Sequence, residues 1–522
     1  MKRRDSIFLH TRICFFRGDA MNAQKNRIMK ETAILSLCSV SLQGLGLLFN
    51  ILLTKRLGAP AIGMMTLAGS FYGLAAVLSG GSGFVAASRF LSEELGCKRN
   101  PGLIFRYALR FCTLLSCSAA VILFLFAPQT AELAMKTSSA VPAIRILSLT
   151  LPLSAISACL KGRCYAYHRI YIPVFAECVE FMVKSSAQAI CTLWLIPSNK
   201  ITVLTSFAVS IAAGQGSSLF FLLMMRFKTQ ENLSGCTISF RQFIRKLLPI
   251  MGNACLVAIL GSANDALVPL CLLQYGNSTE EALAQFGSFE AIILPTLFFP
   301  SVIQCCMSGL LVPVLSREKA AGHVDEIRMM TERVLEQTVS YAFCIVLILV
   351  QFGNEIGCLL GGDAFTGTVL CRMAPVVPLI YLEIILEGIL RGLGKQNFSS
   401  LNYLAEYIVR ISVLLICVPL FGFYGIAASY MACNLTGNAV RLSFVLRITG
   451  LKPVVKRIFL RPLFTMLFSW QFTQLLMTLS RNLSIPAPAR TCSFLAITIS
   501  MYMALLYLLN HTPKKRRLQS AA

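Results

Sequence analysis

Fourteen apolar stretches, each long enough to cross a lipid bilayer as a helix, constrain this chain more than any other feature. A span needs roughly 20 largely apolar residues, because a helix rises about 1.5 Å per residue through a hydrocarbon core about 30 Å thick. The stretches run over residues 33–54, 61–88, 105–127, 143–164, 172–195, 201–225, 246–272, 283–313, 337–360, 369–390, 399–420, 423–446, 458–480 and 491–510. With 56% hydrophobic residues, 13% charged and a mean hydropathy of +0.70 over 522 residues, the chain holds more apolar surface than a water-soluble core could bury. The predicted fold class is an all-α polytopic membrane protein of about fourteen transmembrane helices. The longest connections, near 89–104, 226–245 and 314–336, are too short for a soluble domain.

The net charge of +24 does not point to nucleic acid, because the basic residues lie in short segments between apolar runs rather than on one soluble unit. They read as topology signals. With the N-terminus inside, 37 of the 47 Lys and Arg fall on cytoplasmic segments and 8 on outer ones, while Lys184 and Arg410 sit mid-span. The alternation predicts an even number of spans with both termini cytoplasmic in the cell membrane. The start of the chain is basic and lacks a signal-peptide apolar region. Residues 1–32 therefore read as a cytoplasmic tail, although Met21 offers an alternative start that would make 1–20 an extension. The 20 cysteines sit mostly inside apolar runs with no CxxC pair, which favours a packing role over disulfides or zinc.

An internal repeat divides the chain. Gly58/Gly276, Gly69/Gly287, Ser70/Ser288 and Phe71/Phe289 are each 218 residues apart. Farther on, Pro152/Pro378, Gly162/Gly388, Glu180/Glu406 and Lys184/Arg410 are each 226 apart. Six intervening spans keep both copies in one orientation, a parallel repeat about an axis along the membrane normal. The predicted organisation is a six-helix lobe at 33–225, a second at 246–446, an extra helix pair at 458–510 and a basic cytoplasmic tail at 511–522.

Ionisable side chains inside a bilayer cost roughly 2.5–3.5 kcal/mol on insertion scales, so those that persist face a partner or a watery cavity. Glu180 and Lys184 stand four residues apart in the fifth span, and Glu406 and Arg410 repeat the arrangement in the eleventh. Each acid precedes its base, the favourable order for an i to i+4 pair. Two readings follow: internally neutralised pairs that help helices pack, or a lining for an interlobe cavity where Lys184 and Arg410 meet an anionic substrate or Glu180 and Glu406 bind a coupling cation. Arg89, at the end of the second span, either snorkels to headgroups or meets a phosphate at the cavity mouth. Asn253, Asn264 and Asp265 in the seventh span, with Asn402, offer oxygen atoms to a cation or to interhelical hydrogen bonds. The chain has no Walker A, HExxH or GxSxG sequence, and its four histidines fall in predicted loops or tails, so it does not read as an enzyme.

Three passages carry a family likeness: ILLTKRLGAPAIGMMTLAGSFYGLAAVLSGGSGFVAASRFLSEELG (51–96), LEGILRGLGKQNFSSLNYLAEYIVRISVLLI (386–416) and FGFYGIAASYMACNLTGNAVRL (421–442). In their order and spacing they resemble the multidrug/oligosaccharidyl-lipid/polysaccharide exporter superfamily, and within it the stage V sporulation protein B and polysaccharide-export flippases. The resemblance implies a V-shaped pair of lobes that alternates access and turns over a polyprenyl-linked saccharide, with membrane lipids around a single-chain transport unit. It implies no cofactor, and a coupling ion of Na+ or H+. In some members a sodium site draws on helices 7, 11 and 12, which would fall near Asp265, Asn402 and Glu406. Members of the lipid II branch carry first-helix arginines that face a pyrophosphate; the corresponding positions here are Gln43 and Phe49. That departure shifts weight to the sporulation and polysaccharide branch, with multidrug export as the alternative.

Overall fold

The computed structural model describes residues 38, 40–81, 83–96, 101–135, 138–167, 169, 171–197, 201–225, 239–360, 364–451, 456–479 and 487–519. The predicted tail at 1–32 lies outside them. Among the described residues the regular structure is all helical: α1 (40–57), α2 (Ala59–Ala76), α3 (Gly83–Gly96), α4 (Gly102–Leu125), α5 (Ala127–Met135), α6 (Val141–Ala166), α7 (Tyr171–Ile190), α8 (Val203–Met224), α9 (Phe240–Tyr275) and α10 (Thr279–Ser288). There follow α11 (Leu294–Phe298), α12 (Val302–Ala321), α13 (Val324–Leu359), α14 (Ala364–Met373), α15 (Val377–Gly392), α16 (Gln396–Phe421), α17 (Phe423–Thr449), α18 (Arg461–Leu479) and α19 (Ala487–Gln519).

Where described, every predicted span coincides with helix, some of them interrupted. The second crosses as α2 and α3, joined by a π turn at Val77–Gly81 that breaks where Gly80 takes φ 153°. The eighth crosses as α10, α11 and α12, with a π turn at Phe289–Ile293 and a 3-10 turn at Phe299–Ser301 around Pro300. Ten helical segments among the described residues are long and apolar enough to cross a membrane. The other four are α1, α7, α17 and α18. Their polar content explains the shortfall: Lys55 and Arg56 in α1, Glu177, Glu180 and Lys184 in α7, Asn434, Asn438 and Arg441 in α17, and Arg461, Gln471 and Gln474 in α18. The outer faces are apolar, with Leu114, Trp194, Leu359 and Leu479 each exposed by more than 70%, as lipid-facing side chains require.

Helix ends differ from the sequence expectation where polar turns extend a span. The connection predicted at 314–336 is helix on both sides of Gly322, and α13 begins at Val324 rather than 337 because Asp325 and Glu326 favour a helix N-terminus. Its early turns are used: Glu332 and Glu336 hold Arg457 at 3.2 and 2.9 Å. This contact anchors the chain leading into α18. The C-terminal pair then packs on α13, where Tyr502 donates to the Ser340 carbonyl at 2.7 Å beside Cys344 and Leu347. The last helix continues past the predicted end at 510 to Gln519.

Several apolar cores organise the remainder, of which two bear on the site. One joins α2, α5, α6 and α8 through Ala68, Ala131, Ile144, Leu147, Leu204 and Ala208. The other joins α9, α10, α13, α14, α15 and α17 through residues that include Leu272, Phe286, Leu349, Leu370, Ile380 and Ile426. Helix α9 serves both halves: its start packs Phe243 and Leu247 against Phe90, Leu91 and Ile104, and its end packs Val268 and Leu272 into the second core.

The halves touch backbone to backbone where α2 crosses α10. A Cβ at Gly63 would overlap the Leu283 carbonyl, and one at Gly287 would overlap the Ala59 carbonyl, so only glycine permits the crossing. Gly287→Val is expected to force these helices apart, at a cost of about 1–3 kcal/mol or more from overpacking. A lower thermal midpoint of the detergent-purified protein would register it, while the same change at Gly73, which faces open space, should cost far less.

Candidate functional site

Close helix packing in the second half puts a charged cluster in its interior. Glu383 and Glu387 stand one turn apart on α15, Glu406 lies on α16 and Arg441 on α17. The Arg441 guanidinium is fully buried and grips Glu406 with both terminal nitrogens, at 2.6 and 2.9 Å. It lies 3.6 Å from Glu383, 4.0 Å from Glu387 and 4.7 Å from the centre of the Tyr403 ring. Glu387 also accepts from Ser399 and from Arg391, the latter at 2.9 Å. Space for the Glu406 carboxylate comes from Gly437, where a Cβ would overlap it. Asn402 donates to Glu406 at 3.0 Å and to the Gly437 carbonyl at 3.3 Å.

The first half holds a related cluster with its charges distributed differently. Glu180 on α7 accepts from Lys161 on α6 at 3.2 Å and from Gln215 on α8 at 2.6 Å, and Glu177 lies 3.8 Å from Lys161. Lys161 and Glu387, Glu180 and Glu406, and Gln215 and Arg441 are all separated by 226 residues. Each half thus surrounds one glutamate with the preceding and following helices. The base comes from α6 in one and from α17 in the other.

The expected i to i+4 pairs are therefore not formed. Glu180 and Glu406 turn to neighbouring helices, which offer stronger partners than a base on the same helix: a bidentate guanidinium for Glu406, an ammonium and an amide for Glu180. Lys184 and Arg410 are left without a carboxylate within 4.0 Å among the described residues. Lys184 packs its stem against Gly214, faces open space and lies 6.0 Å from the centre of the Phe207 ring. Arg410 lies 3.7 Å over the Tyr430 ring, and its buried Nε has no hydrogen-bond partner.

A third group sits where the halves meet. Ser70 on α2 donates to Asp265 on α9 at 2.7 Å, and Asn264 donates to the other Asp265 oxygen at 3.1 Å. Glu290, in the π turn after α10, is within electrostatic reach of both Asp265 and Arg410. Its neighbours Ala291 and Ile292 share an apolar cluster with Phe207, the ring beneath Lys184. Lys184 and Arg410, neither in an ion pair within 4.0 Å among the described residues, thus border the junction of α2 with the turn at Phe289–Ile293, one from each half. Arg89 takes no part: it is 60% exposed in the middle of α3 and paired with Glu93 at 3.1 Å.

Several of these residues escaped the sequence reading. Arg441 and Lys161 were not singled out as site residues, and both are buried or nearly so inside the protein; their distance of 226 from Gln215 and Glu387 was the available signal. Glu290, Glu383 and Glu387 lie within predicted spans, where the cost of an intramembrane carboxylate already marks them.

No family model matches the chain. In fold the chain is similar to an inward-facing multidrug resistance MATE family transporter of the MOP superfamily, on which it superposes with a TM-score of 0.64 at 14% identity, covering 80% of this chain and 98% of the other. The lipid II flippase MurJ in an inward closed conformation gives 0.67 at 13% identity, covering 91% and 98%. The sequence likeness to stage V sporulation protein B also holds: the Bacillus subtilis protein of that name is 22% identical over 416 residues, 77% of this chain and 80% of that protein.

Proposed function

We propose that this protein is a flippase that carries a polyprenyl-phosphate-linked oligosaccharide or peptidoglycan precursor from the cytoplasmic to the outer leaflet. The observation that carries the reading is the release of Lys184 and Arg410 from the acids one turn before them. A lipid phosphate or diphosphate must cross a region where an unpaired anion is expensive, and two unclaimed bases at the junction of the halves are suited to meet it. The similarity to stage V sporulation protein B and to the lipid II flippase supports the same class of substrate. In this reading 33–225 and 246–446 rock against one another, 458–510 is accessory, both termini are cytoplasmic and one chain is the transport unit.

The fold shared with a multidrug transporter keeps a second reading, export of organic cations, in view. Proteoliposomes separate the two. A polyprenyl-diphosphate saccharide labelled with a fluorophore on its sugar should become fully accessible to a membrane-impermeant quencher when the protein is present, against about half without it. Export of a cationic dye without any movement of the lipid would replace the flippase reading with the second.

A further inference from the structure

The superfamily likeness implies a sodium ion held by the helices that here are α9, α16 and α17, near Asp265, Asn402 and Glu406. At Glu406 and Asn402 the side chains present do not fit one. A small hard cation requires several converging oxygen atoms with free lone pairs. Both oxygens of Glu406 are engaged by Arg441, and Asn402 turns its amide nitrogen towards Glu406 and the Gly437 carbonyl. The two Asp265 oxygens accept from Ser70 and Asn264 instead.

We propose that the Arg441 guanidinium is the resident cation of this site, tethered to the chain in the place where an exchangeable alkali ion would otherwise bind, so that the site neither binds nor requires sodium. The geometry is that of a cation site filled from within. Three carboxylates from α15 and α16 converge within 4.0 Å of a side chain that is fully buried, and the ring of Tyr403 closes another side. The first half follows the same plan, since Lys161 neutralises Glu180 from α6 while Gln215 stands in the position of Arg441. A cation bonded into the chain cannot leave on one side of the membrane, so this site cannot draw on a sodium gradient. The inference does not depend on which lipid-linked saccharide is carried, and its test needs no substrate.

Thermal unfolding of the purified protein in sodium, potassium and choline chloride at equal ionic strength tests it. The unsubstituted protein should melt at the same temperature in all three. Arg441→Gln vacates the site and should gain a saturable rise in midpoint of several degrees with sodium, and Glu406→Gln in the Arg441→Gln background should remove that gain. Saturable stabilisation of the unsubstituted protein by sodium, lost in Glu406→Gln, would overturn the proposal. A folded Arg441→Gln protein indifferent to all small cations would overturn it too. Should Arg441→Gln not fold, binding of radioactive sodium to the unsubstituted protein decides: stoichiometric uptake that Glu406→Gln removes refutes the proposal, and its absence sustains it.

Discussion

Replacing Lys184 and Arg410 together by alanine is expected to abolish transport while leaving insertion and the amount of protein in the membrane unchanged. Neither base closes an ion pair within 4.0 Å among the described residues, so its loss strands no partner of that kind. What disappears is the interaction with the substrate anion. Hydrogen bonds to a charged group contribute about 1.5–3 kcal/mol each, which corresponds to roughly 10- to 150-fold in rate per residue. The single changes should therefore slow lipid translocation in proteoliposomes by one to two orders of magnitude, and the double change should fail to complement a flippase-deficient strain. Lys184→Arg and Arg410→Lys should retain part of the rate, since charge outlasts the change of shape. Arg89→Ala, at an exposed and already paired position, should leave transport within about twofold of normal, because surface ion pairs contribute only about 0–1 kcal/mol. Full complementation by the double alanine variant would remove these residues from the pathway.

The fold was legible because a bilayer imposes a length on every apolar run, and all fourteen runs are helical where described. The site was legible only in outline. Glu180, Lys184, Glu406 and Arg410 stood out as ionisable groups at equivalent depth in two copies, which the spacing of 226 makes plain. Their partners did not, because pairing along a helix depends on sequence distance, whereas pairing between helices depends on how near the axes approach. Gly437 sets that approach for α16 and α17, and Gly214 does so for α7 and α8. Nothing local says that a glycine 31 residues after Glu406 makes room for its carboxylate. Arg441 was overlooked for a related reason: it lies near the end of an apolar run, and only the packing of α17 against α15 and α16 brings its guanidinium among three carboxylates.

Arg441→Ala is expected to be the most destabilising substitution in the interior. It leaves Glu406 buried, with Asn402 as its remaining donor, beside Glu387, which keeps Arg391, and Glu383, which loses its one ion-pair partner among the described residues. Removing one member of a buried pair typically costs about 3–5 kcal/mol, because the other charge stays behind without compensation. The purified variant should show a sharply lower thermal midpoint and a reduced monodisperse fraction. Glu406→Gln in the same chain should recover a large part of the loss, since the stranded charge is then absent. Lys161→Ala in the first half should cost less: Lys161 is 17% exposed and Glu177 47%, so that pair is less buried than the Arg441 cluster, and Gln215 continues to donate to Glu180. The ordering, rather than the size of any one change, is the decisive measurement. Equal losses for Arg441→Ala and Lys161→Ala, or no recovery on adding Glu406→Gln, would mean that the Arg441 cluster is open to solvent and that its guanidinium is not the interior counter-charge of α15 and α16.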